Sequence, residues 1–307
     1  MQHWQTIKPG DIVDIIAPSS GCDKLNLQNI KYFMTSIGLI PRIAKDIISK
    51  DIPYCANNDD YRFKHLHKAL YNNKSKAIWC LRGGYGLTRI IDRLDPKNPP
   101  KKNKLLIGFS DITALHIFLN SKWQFASLHG PMVENGASGN IDQEARENLR
   151  KIIFKTTSKI KYDNLLPLNK AAKIETSVYT EVTGGNLCLV SNSLGTKWEI
   201  KTTNKILFLE EIGERGYKID RMLQQMKQAG IFKKATAVIF GDILNSADKD
   251  GKDYADFTIN DFANSLDIPV LKIPNIGHGK INHPLPLGLR TKFVLGSENS
   301  ITIKVGL

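Results

Sequence analysis

Cysteine is scarce in this 307-residue chain and is never spaced for chemistry. The four, Cys22, Cys55, Cys80 and Cys188, include no Cys-x-x-Cys pair. That argues against a zinc site and a disulfide framework and fits a reducing compartment. No apolar run approaches bilayer length, and the opening MQHWQTIKPGD lacks the apolar stretch of a secretory signal. A cytoplasmic enzyme with no membrane partner is the expectation. Phosphate-loop chemistry is poorly served, because the glycine-rich run Arg82–Gly86 has no Gly-Lys-Ser/Thr and does not fit Gly-x-Gly-x-x-Gly. The segment DKDGKD, Asp248 to Asp253, has its glycine too early and no closing acid for a calcium loop. A net charge of +13 raises nucleic-acid binding. Yet no basic motif interleaved with aromatics occurs, and the densest patch, PKNPPKKNK at Pro96–Lys104, is Pro-rich and reads as a solvated loop. No nucleic-acid partner is expected.

What is present is an alternation of strands and helices. Asp11–Ala17, Leu39–Ile43, Ala77–Leu81 and Leu105–Ile107 are apolar, β-rich runs. Helical spacing over Leu25–Ile37, Tyr61–Tyr71, Leu87–Leu94 and Asp111–Leu119 separates them. This pattern predicts an α/β fold whose N-terminal part is a doubly wound parallel sheet of flavodoxin or Rossmann type. Strands at Val178–Val182, Ile206–Leu209 and Ala235–Phe240, helices at Asn186–Leu194 and Tyr217–Gln228, and a closing hairpin through Gly296–Ser300 predict a mixed α+β domain after it. The expected division is residues 1–155, a polar lysine-rich linker at 156–175, and 176–307.

Three strand ends carry chemistry. Ser110 in GFSD sits where a strand turns into a helix, so it is either a helix cap or an exposed nucleophile facing free N–H groups. Gly83 and Gly84 follow the Ala77–Leu81 strand, as a tight turn or as a loop bringing backbone N–H groups to a reacting atom. The run KILFLEEIGE ends a buried strand in Glu210 and Glu211, and alternation lets only one of them face a given cleft. In GHGKINHPLPLG, Gly277–Gly288, the histidine His278 between two glycines suits a general base better than core, with His283 a weaker candidate.

Taken together, IAPSSG, RGGYG, GFSD, HGPM, GGNL, FLEEIGE, YKIDRML and GHG…LPLG, in this order from Ile16 to Gly288, resemble the LD-carboxypeptidases. These are muramoyltetrapeptide carboxypeptidases, a serine peptidase family that also includes microcin C immunity peptidases. The resemblance implies a triad of Ser110, Glu210 and His278, with the nucleophile on the N-terminal domain and the other two on the C-terminal domain. It implies an oxyanion hole of backbone N–H groups at Gly84 and Asp111, a metal-free and cofactor-free cleft, and a homodimer. The implied reaction removes terminal D-alanine from murein tetrapeptides during cell-wall recycling. The alternatives are a microcin-type immunity peptidase and a non-catalytic binder of murein fragments or nucleic acid. HGPM stands where the family more often has Ser-Gly-Pro, which would bring His129 into the hydrogen bonding near the cleft.

Overall fold

A computed structural model describes residues 2–49 and 52–306, with residues 24–26 described by their backbone alone. The first half runs β1 (Ile12–Ile16), α1 (Lys24–Ile37), β2 (Ile40–Ile43), α2 (Asp59–Tyr71), β3 (Ala77–Cys80), β4 (Leu105–Gly108), α3 (Thr113–Phe118), β5 (Ser127–His129), α4 (Val133–Ala137) and α5 (Gln143–Ile153). β3 and β4 are wholly buried apolar runs rather than alternating ones, as expected of parallel strands covered on both faces. β1 to β5 pair in parallel in the spatial order β2-β1-β3-β4-β5. This is the doubly wound flavodoxin-type order, whose strands end at a shared ligand-binding edge.

The second half contributes β6 (Lys159–Tyr162), β7 (Leu166–Pro167), β8 (Thr176–Thr180), β9 (Val182–Asn186), α6 (Leu187–Asn192), β10 (Ile206–Ile212), α7 (Gly216–Gln228), β11 (Ala237–Leu244), α8 (Ala255–Asn264), β12 (Val270–Lys272), β13 (Leu285–Leu287), β14 (Thr291–Leu295) and β15 (Ser300–Lys304). β9 to β12 form a second, parallel sheet with β7 antiparallel at its edge. β6, β15, β14 and β8 make a third sheet, antiparallel throughout. β13 leaves its own half and pairs antiparallel with β5, becoming the sixth strand of the first sheet. One apolar cluster accordingly joins Trp79, Ile107 and Leu128 of the first sheet to Ile206, Phe208 and Ile239 of the second.

Two local expectations change. Leu87–Leu94 is not an α-helix but two 3-10 turns, Leu87–Arg89 and Ile91–Arg93. Three β-branched residues, Thr88, Ile90 and Ile91, crowd a helix there. Arg89 and Arg93 are instead drawn to Asp59 and Asp60 at the start of α2. The stretch 156–175, read from sequence as a linker, carries β6 and β7 and a 3-10 turn. Among the described residues no helix is long and apolar enough to cross a membrane.

His129 also departs from expectation. It is fully buried against Phe109 and Phe208, lines no part of the cleft, and has no hydrogen-bond partner at either ring nitrogen. His116 lies beside it, bonded to the Gly108 carbonyl and the Ser127 hydroxyl at 2.8 Å each. Because a carbonyl only accepts, His116 Nε2 donates and Nδ1 accepts, which is the neutral tautomer. Burial pushes His116 down to about 4 and His129 well below its ordinary value. Both stay neutral in the fold and take up protons near pH 6.5 once unfolded, so their contribution to stability is complete above that pH and lost as pH falls from it towards 4. Each costs up to about 1.4 kcal/mol per pH unit in that window. Urea unfolding at pH 7, 6 and 5 should therefore show His129→Leu losing less stability on acidification than the unsubstituted chain.

Candidate active site

The loops after β1, β3 and β4 meet at one edge of the first sheet, and buried side chains fix them to one another. Asp111 Oδ2 accepts from Ser19 Oγ at 2.5 Å, in the loop after β1, and from the Leu87 amide at 2.8 Å, just past the glycine loop. Burial is the main influence on its carboxyl, raising it above the usual carboxylate range, while these two donors pull the other way. Buried Arg62 of α2 acts from beneath. Its guanidinium donates to the carbonyls of Pro18, Asn57 and Gly86 and pairs with Asp59.

Ser110 occupies the turn held by this frame. Its φ of +58° is in the left-handed region, uncommon for a residue other than glycine. Its hydroxyl caps no helix, so the cap reading of the sequence does not hold. Strain of this kind is found where a backbone presents a side chain for function. The glycine loop lies against it. A Cβ on Gly83 would sit 2.9 Å from Ser110 Cβ, so only glycine allows this approach. Gly84, at φ +86°, would put a Cβ 2.3 Å from Ser20 Oγ. Ser20 in turn anchors the loop, its amide donating to the Gly83 carbonyl and its oxygen accepting from the Tyr85 amide. The amides of Gly83 and Gly84 have no acceptor among the described residues.

The other wall comes from the second half. His278 Nδ1 bonds Glu210 Oε2 at 2.6 Å, and Glu210 is fully buried at the end of β10. The Phe109 ring, 4.7 Å away between centres, backs the imidazole from the first half. Burial, the largest single influence on His278, lowers its basicity. The hydrogen bond to Glu210, with the charges of Glu210, Glu211 and Asp242, outweighs that and leaves its pKa raised above 6.5. Ser110 and His278 line one cleft of about 520 Å³, with no hydrogen bond between them.

A register shift in β10 falls between Leu209 and Glu211, beside β11. Glu210 lies under His278, while Glu211 lines the cleft and accepts from Asn186 Nδ2 at 3.0 Å and from the Cys188 amide at 2.9 Å. Burial raises the Glu211 carboxyl. Glu211 thus fixes the start of α6, a role that the sequence, with two adjacent glutamates, does not reveal. His283 lies outside the cleft. Among the described residues no group of three or more metal-ligating side chains is placed to hold an ion.

The chain as a whole has relatives. Residues 13–130 match the model of the LD-carboxypeptidase N-terminal domain, and residues 180–293 that of the LD-carboxypeptidase C-terminal domain. The chain belongs to the LD-carboxypeptidase family. A putative carboxypeptidase of Rickettsia conorii is 38% identical over 95% of this chain and 91% of its own length. A probable murein peptide carboxypeptidase of Bacillus subtilis is 30% identical, over 99% and 94%. The crystal structure of muramoyltetrapeptide carboxypeptidase from Oxalobacter formigenes superposes with a TM-score of 0.82 at 26% identity, covering 95% of this chain and 98% of that one. A structure of the microcin immunity protein MccF with glutamyl sulfamoyl guanosine shares the fold, with a TM-score of 0.81 at 19% identity and 98% of both chains covered.

Asp111→Ala removes one acceptor from two loops and leaves Ser19 Oγ and the Leu87 amide unpaired in the interior. A loss of about 2 kcal/mol is expected in urea unfolding, and Asp111→Asn, which keeps one acceptor oxygen, should recover part of it.

Proposed function

We propose that the protein is a serine LD-carboxypeptidase that hydrolyses the bond between the L-centre of a diamino acid and the terminal D-alanine of a murein tetrapeptide. The observation that carries this reading is the meeting, in one cleft, of a left-handed Ser110 with His278 held at 2.6 Å by buried Glu210. His278 Nε2 takes the Ser110 proton as Oγ attacks the carbonyl carbon, and Glu210 holds the imidazole tautomer and stabilises its positive charge. The backbone N–H groups of Gly84 and Asp111 receive the oxyanion, each donor being worth about 3 kcal/mol in comparable sites. The imidazolium returns its proton to the departing D-alanine nitrogen. Water, deprotonated by the same imidazole, then cleaves the acyl ester and restores Ser110.

Charge in the cleft supports the substrate. Arg82 is the only Lys or Arg among the described lining residues; it is half exposed and lies 3.6 Å from Glu134, a loose pairing that the carboxylate of the terminal D-alanine would replace. Glu134 and Glu214 on the lining, now paired with Arg82 and Lys218, suit the ammonium group of a diamino acid. In this reading residues 1–155 supply nucleophile and oxyanion loop, residues 176–307 supply base and carboxylate, and the enzyme works as a cytoplasmic homodimer without cofactor.

Purified protein should release D-alanine from tetrapeptide muropeptides, and Ser110→Ala should lower turnover by about 10⁴-fold or more. Cleavage of an acyl-sulfamoyl nucleoside with no D-alanine release would instead assign it to the microcin-immunity branch. The rate should rise with pH through a midpoint above 6.5, because His278 acts as a base only when neutral. Glu210→Gln should move that midpoint down, since it removes the main upward influence on the imidazole. Arg82→Gln should raise KM for the tetrapeptide while affecting a C-terminally amidated analogue little. Equal effects on both substrates would remove Arg82 from carboxylate recognition.

A further inference from the structure

The outer face of the third sheet carries a cluster of cations that the proposed reaction does not use. Cα partners in an antiparallel pair project to the same face. Lys304 on β15 stands directly opposite Lys159 on β6, and Thr302 stands between Lys161 and Lys292. Lys292 faces Tyr179 on β8, and the Arg290 guanidinium lies 4.2 Å from the centre of that tyrosine ring. A cavity of about 350 Å³ opens among these residues. Its lining comprises four cations, Lys159, Arg290, Lys292 and Lys304, and three hydroxyls, those of Ser158, Tyr179 and Thr302. Every lining side chain is therefore a hydrogen-bond donor, and none is acidic or aliphatic.

Like charges directly opposite one another destabilise a sheet. On the same face Lys161, outside the cavity, pairs with Asp163 and Glu298, and elsewhere Lys205 and Lys218 have carboxylate partners. None of the four cations in this cavity forms an ion pair with a carboxylate among the described residues. Most of the donors stand on strands, so the sheet fixes their backbone spacing while the four cationic side chains stay exposed to an incoming ligand. We propose that this cavity is a binding site for a small anion bearing two or more phosphate groups. A guanidinium fork, three ammonium groups and three hydroxyls match phosphate oxygens, which only accept. The volume lies at the small end of ligand pockets and suits a di- or triphosphate group better than a polymer. Tyr179 is the only aromatic residue among the described lining residues, whereas single-strand nucleic-acid grooves stack successive bases on several rings.

The test is calorimetric titration of the full chain with inorganic tripolyphosphate. Beside it stand Lys159→Gln/Lys304→Gln and, as a charge-matched control, Lys233→Gln/Lys234→Gln on exposed lysines outside the cavity. One-to-one binding is expected, weakened by about tenfold or more in the first variant, which loses two charge-assisted contacts, and unchanged in the control. Without anion the first variant should melt no lower than the unsubstituted chain, because repulsion is relieved, and should hydrolyse tetrapeptide at the same rate. Absence of saturable binding, or equal weakening in both variants, would overturn the proposal. Binding of a single-stranded oligonucleotide, but not tripolyphosphate, through the same lysines would also overturn it.

Discussion

The pairing of β13 with β5 is the constraint on which the candidate site depends. Leu285 bonds opposite His129, and β5 adjoins β4, whose end turns into Ser110. His278 lies seven residues before Leu285, so a strand from the far end of the chain brings the imidazole-bearing loop beside the serine. Two sheets that merely touched could slide. Main-chain hydrogen bonds between halves, reinforced by a shared core through Phe208 and Ile107, fix their separation. Catalysis by proximity tolerates little displacement, so such a joint matters more than the strength of any one contact.

Around that joint the polar groups divide the work. Asp111 and Arg62 are buried and spend their hydrogen bonds on loops rather than on solvent. They fix the turn that makes Ser110 left-handed and sets Gly83 against it. Glu210 and Glu211, adjacent in sequence, serve different partners on either side of a register shift, one orienting His278 and the other tying down α6. Burial raises the Asp111 and Glu211 carboxyls and keeps His116 and His129 neutral, so acidification works against the fold through the two histidines and in the opposite direction through the two carboxyls.

The residues at the strand ends were legible because their signals are local. An apolar run followed by glycine or serine marks where a parallel strand stops, and GFSD and RGGYG carry that mark, while FLEE is marked by two acids closing an apolar run and GHG by a histidine between glycines in a loop. The parallel order of the first sheet follows from the same alternation. What could not be read lies in long-range pairing. Ser19 and Asp111 are 92 residues apart and nothing in either segment specifies its partner, while Glu210 and His278, 68 apart, are matched by the family resemblance and not by any local signal. β13 is three residues with proline at its centre, too short to register as a strand or to announce a move to another sheet. His129, at the end of β5, is expected near the cleft, but the covering of Phe109 and Phe208 takes it into the core.

In the proposed mechanism Ser110 is a nucleophile activated by His278 across this joint. Its most direct test is labelling with a fluorophosphonate, followed by peptide mapping in a mass spectrometer. The account predicts a single adduct on Ser110, formed rapidly in the unsubstituted chain and lost or greatly slowed in His278→Ala. Labelling of another residue with Ser110 unmodified, or labelling of Ser110 that is indifferent to His278, would contradict it.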